Sequence, residues 1–193
     1  MMMSKTPNSV RKNNDDHNVR PRYTQIPFPA YRFIPGENPH PIDDPQGHSY
    51  KKYIEIPGPL KNQNWQTNER YLFGVDLYNY AFCWEAHEAF ESLWQITPAQ
   101  HPLRDFLQGL IKICAAFLKW HSRKIRGVKI LYTQGYEHLR SVMVLYPVYM
   151  GLNLEEYLEN LKAHFAWLND KPVSWKDPLE HYPFINLNDK TEC

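Results

Sequence analysis

Fifteen residues, Tyr80 to Trp94 (YAFCWEAHEAFESLW), constrain the fold more than any other stretch of the chain. At about 100° per residue they divide into two faces of one helix. Phe82, Ala86, Ala89, Phe90 and Leu93 form an apolar stripe, and Trp84, His87, Glu88, Glu91 and Trp94 form the opposite side. His87 and Glu91 are four apart, as are Trp84 and Glu88, so their side chains meet. The area of an indole favours burial, whereas two carboxylates and an imidazole are costly to bury without partners. The pattern therefore predicts the wall of a cleft or a covered polar seam.

The flanking chain reads as helices packed around this one. Tyr71, Leu72, Val75 and Tyr78 mark a helix over Glu69 to Asn79, with a tight turn at Asn79 to Ala81 leading into the central helix. Pro98 ends the central helix near Gln95 to Thr97, and Pro102 opens the next at a favoured first position. From Leu103 to His121 the apolar residues cover an arc about 160° wide, with Gln108, Lys112 and Lys119 opposite. His121 falls inside that arc and reads as a hydrogen-bonded core-edge histidine rather than a ligand. A fourth helix spans Lys124 to Val144, where Gly127 and Gly135 fit close helix contact. A fifth follows Asn153, whose Glu156 three residues on completes a capping box. No strand-period segment stands out. The fold class is all-α, a compact bundle of about five helices with proline-rich extended arms at both ends.

Those arms are set by proline. From Pro21 to Pro59 the chain carries nine of its sixteen prolines, a density that forbids helix and sheet interior alike. Among them stand Tyr23, Phe28, Tyr31, Phe33, Tyr50 and Tyr53, which have apolar area to bury. We divide the chain into a disordered tail over 1–20, an extended arm over 21–64 laid across the site, a helical domain over 65–170 and an extended tail over 171–193.

Two motifs carry a resemblance. Glu85-Ala86-His87-Glu88-Ala89-Phe90-Glu91-Ser92-Leu93-Trp94 and Phe106-Leu107-Gln108-Gly109-Leu110-Ile111-Lys112-Ile113-Cys114-Ala115-Ala116 resemble the E-A-H-E-x-x-E-x-x-W and F-x-Q-G-L-I-[QK]-x-A-A blocks of the domain of unknown function 309 family. The likeness covers roughly residues 65 to 145, with Cys114 the departure. It implies a small all-helical fold and no established activity.

The net charge of +1 points to no nucleic-acid partner, and no apolar run is long enough for a membrane span. The three cysteines, Cys83, Cys114 and Cys193, form no C-x-x-C and suit a reducing cytoplasm. The charge leaves homo-oligomerisation open. Chemically, His87-Glu88-Ala89-Phe90-Glu91 resembles the H-E-x-x-H of zinc enzymes with Glu91 in place of the second histidine. His87 and Glu91 are then candidate ligands of a divalent metal ion, with His40, Asp44 or His48 in the arm as a further ligand. The same residues can instead form a metal-free pocket for a small molecule. Its lining would be Trp84, Glu85, His87, Glu88, Glu91 and Trp94, with Gln108 and Lys112 facing them from the next helix. A metal-dependent hydrolase and a non-catalytic interaction or structural domain are the alternatives.

Overall fold

The computed structural model describes residues 20–52, 57–170 and 175–188. The expected tail over 1–20 therefore falls almost wholly outside the described residues, as do Tyr53 and Pro172. Five helices dominate: α1 (Glu69–Asn79), α2 (Cys83–Gln95), α3 (Pro102–His121), α4 (Ile125–Leu145) and α5 (Leu154–His164). Single 3-10 turns at Trp65–Thr67 and Ala166–Asn169 flank them.

The chain stops and restarts its helices with local signals. Asn68 caps α1 by accepting from Tyr71 N at 3.0 Å. At its other end Phe82 N bonds Leu77 O and Ala81 N bonds Tyr78 O, with Ala81 at φ 63°. That is a Schellman closure with alanine where glycine is usual, and it turns α1 directly into α2. His101 caps α3 ahead of Pro102. Asn153 caps α5 through Glu156 N at 3.2 Å.

The expectation of no strand gives way at one point. β1 (Val148–Tyr149) and β2 (Leu152–Asn153) pair antiparallel across Met150 and Gly151, both at positive φ. Two-residue hairpin turns of this kind match the strand twist. Gly151 is required twice over, because a Cβ there would lie 2.5 Å from the Trp65 ring.

α3 is the centre of the bundle, packed between α2 and α4. It is buried on more sides than one apolar arc predicts, since Ile113, Ala116 and Trp120 join the core. At the α3–α4 crossing, Gly109 and Gly135 meet. A Cβ on Gly135 would come within 2.9 Å of Ile113 and 3.0 Å of Gly109 O, so the close contact expected of Gly135 is present. His121 is half-buried and burial lowers its pKa, but no hydrogen bond to it occurs among the described residues, contrary to the sequence reading.

Both extended segments end on α1. Asp76 is fully buried and accepts from Tyr23 N, Thr24 N and Thr24 Oγ1 at 2.6–2.8 Å. Asn79 donates to Pro21 O and Ile185 O and accepts from Ile185 N. Tyr78 donates to Pro183 O, and Leu187 N donates to the Tyr23 hydroxyl at 2.7 Å. Tyr182 and Ile185 are buried in the core. No helix is long and apolar enough to cross a membrane among the described residues.

Candidate functional site

α2 turns Ala86, Ala89, Phe90 and Leu93 into the core, which is the apolar stripe read from the sequence. The same geometry leaves Trp84, His87, Glu88, Glu91 and Trp94 half-buried on the other side. His87 Nε2 lies 3.1 Å from Glu91 Oε2 one turn on. Glu88 completes the group: one potential ligand atom from each of His87, Glu88 and Glu91 lies within 4.8 Å of the others. His87 Nδ1 is buried without a hydrogen-bond partner among the described residues, and Nε2 is the nitrogen that faces Glu91.

Burial raises the Glu88 carboxyl above the usual carboxylate range; His87 opposes that, Glu91 adds to it, and Arg70 and His40 oppose it further. Neither Glu88 nor Glu91 forms a salt bridge with lysine or arginine among the described residues. Arg70 of α1, which the sequence reading missed, is a cationic influence on Glu88. Its Nε donates to Ser92 Oγ at 3.0 Å, and burial lowers its pKa while Glu88 raises it. The available signal was the α1–α2 hairpin, which brings the start of α1 alongside the end of α2.

Glu85 separates from the other acids. It is buried under the N-terminal arm, accepting from Phe33 N at 2.9 Å and lying 3.0 Å from His48 Nε2. Burial raises its pKa, and the His48 hydrogen bond is the chief opposing influence. His48 Nδ1 in turn contacts Ser49 Oγ at 2.8 Å. Both nitrogens of His48 are thereby engaged away from His87.

The arm does run across α2, but its polar groups are turned to other work than the sequence suggested. Phe28 stacks among Phe73, Tyr80 and Phe82, and Phe33 and Ile34 are buried. His40 contacts Asp43 Oδ2 through Nδ1 at 3.1 Å, and its ring packs edge-on against Trp84 at 5.4 Å between centroids. Asp44 Oδ1 accepts from Gln46 N within its own loop. None of His40, Asp44 and His48 joins the cluster of His87, Glu88 and Glu91.

The two indoles are also covered. Trp84 meets the rings of Phe33, His40 and His48. The Arg104 guanidinium lies 3.7 Å from the Trp94 ring centroid and donates to Trp94 O and Thr97 O, and the sequence reading overlooked it. Lys112 is placed elsewhere: its Nζ donates to Gln134 of α4 at 2.9 Å. Gln108 is half-buried between Arg104 and Lys112 on α3. α3 has two neighbours, and Arg104 follows α2 while Lys112 follows α4.

The sequence profile of one family, described as Domain of unknown function (DUF309), matches residues 71–131, from the first turn of α1 into α4. No curated protein and no solved structure matches the chain.

Proposed function

We propose that this chain, whose residues 71–131 match the domain of unknown function 309 family, binds a divalent metal ion through His87, Glu88 and Glu91. One observation carries the reading: three ligand atoms of the right chemistry stand no more than 4.8 Å apart. An ion with bonds of about 2.0–2.6 Å to nitrogen and oxygen spans such a group after small side-chain rotations. The absence of a lysine or arginine salt bridge to either carboxylate, among the described residues, leaves their charge available to a cation. The buried free thiols of Cys83 and Cys114 suit a reducing cytoplasm as the place of action.

Three protein ligands leave at least one position open on a tetrahedral ion. That arrangement lets a bound water lose a proton near neutral pH, which supports metal-dependent hydrolysis as a second reading. Trp84, Glu85 and Trp94 then act as packing around the site. Lys112, bonded to Gln134 of α4, stands apart from it.

Elemental analysis of protein purified without a histidine tag is the test. Stoichiometric zinc, manganese or iron is expected, and His87→Ala is expected to lose it while the far-ultraviolet circular dichroism stays unchanged. Metal-free parent protein that also fails to take up any of these ions on titration would sink the reading and leave a purely structural His–Glu network.

A further inference from the structure

Seven large apolar side chains are exposed among the described residues, and five of them, Ile130, Val144, Leu145, Tyr146 and Val148, lie on α4 or directly after it. Val144 is 72% exposed. α4 is an outer helix that buries Val128, Gly135, Leu139 and Val142 on one side. Around the helix, roughly opposite at 100° per residue, run Ile130, Thr133, Glu137, Arg140 and Val144, all exposed. Their spacing alternates three and four, which is the period of a seam between two helices. Glu137 and Arg140 occupy the middle and are ion-paired within α4 at 2.9 Å.

We propose that this face joins two copies of the chain, their α4 helices antiparallel about a two-fold axis passing between Glu137 and Arg140. A two-fold interface must be self-complementary, and this stripe has that property in one direction only. Antiparallel, Glu137 of each copy meets Arg140 of the other. Val144 covers Thr133, and Ile130 reaches the segment around Pro147 and Val148. Parallel, Glu137 would face Glu137 and Arg140 would face Arg140. The charge order thus selects a second copy over an unrelated partner, and it selects the direction. A helix of 21 residues is about 31 Å long at 1.5 Å per residue, so one paired helix makes a small interface. Such contacts lie at the weak end of specific association.

Sedimentation velocity of the full chain, from micromolar to millimolar concentration, tests this without reference to any metal. A concentration-dependent monomer–dimer equilibrium is expected. Glu137→Arg alone and Arg140→Glu alone should each weaken the dimer at least tenfold, and the two together should restore it. Val144→Glu should abolish it. All three positions are exposed, and circular dichroism will confirm the fold of each variant. A monomer at every concentration overturns the proposal. So does a dimer indifferent to Val144→Glu, which would use another face, and so does failure of the double exchange to restore association.

Discussion

α2 contributes to two histidine–glutamate pairs, through Glu85 and, two residues on, His87, and they have different fates. His48–Glu85 and His87–Glu91 have nearly equal contacts, 3.0 and 3.1 Å. In the first the side chains are 7% and 5% exposed, in the second 25% and 37%. Burial makes the first a fastener. Glu85 takes hydrogen bonds from a backbone N–H and an imidazole that both belong to the arm, so its pairing fixes a tertiary arrangement. The second pair lies within one helix and fixes nothing that the helix does not already fix. It also sits beside Glu88, which has no salt-bridge partner among the described residues. The same two side-chain types thus serve as a structural joint where the partner comes from afar, and as an available ligand pair where it comes from one turn away.

The largest effect should come from breaking the buried pair. Glu85→Ala leaves His48 and Phe33 N without their acceptor beneath the arm. Removing one member of a buried pair costs roughly 3–5 kcal/mol, and urea unfolding is expected to show a loss of about that size. Limited proteolysis should show faster cleavage between Arg20 and Lys52, while α1 to α5 persist. An unchanged midpoint would mean the two pairs do not differ as described.

A third histidine sharpens the contrast. His164 is buried like a core residue, and backbone groups rather than a carboxylate meet it among the described residues, the carbonyl of His181 lying 3.1 Å from Nδ1. Burial lowers its pKa from 6.5 to about 4. The unfolded chain therefore binds a proton that the folded chain refuses between those values. The stability His164 contributes is present above about pH 6.5 and is lost as pH falls through that window, by roughly 3 kcal/mol at 1.36 kcal/mol per pH unit. His164→Gln should flatten this part of the stability-versus-pH curve, measured by urea unfolding from pH 7 to 4. A parallel slope in variant and parent would exclude His164 as its source.

The smallest effect belongs to the exposed pair. His87→Ala is expected to change unfolding free energy by less than about 1 kcal/mol, as partly exposed ion pairs do, when measured on metal-free protein. A loss as large as that of Glu85→Ala would make the second pair structural too.

The bundle was legible in sequence because its signals are local. Pro102 and Asn153 act within one turn, and the spacing of Tyr71, Leu72, Val75 and Tyr78 needs only its own helix to be read. The β1–β2 hairpin escaped because two-residue strands have no period to detect. The His87–Glu88–Glu91 cluster was legible for the same reason as the helices, being spaced within one. Glu85 was not separable from its neighbours, since its burial depends on His48, 37 positions earlier. Lys112 was misdirected because a polar stripe on a helix does not say which neighbour it faces.

The hydrogen bonds that Asn79 and Tyr23 make to the segment around Ile185 have a consequence for biosynthesis. During translation α1 is complete more than a hundred residues before Ile185 is added. Until then the slot beside Tyr78 lacks the Tyr182 ring, and the Tyr78 hydroxyl lacks the carbonyl of Pro183. Contacts this distant along the chain must overcome a large closure entropy before they contribute. A nascent bundle would thus carry a wet, unfilled slot beside α1 until the strip around Ile185 arrived to expel the water and close it.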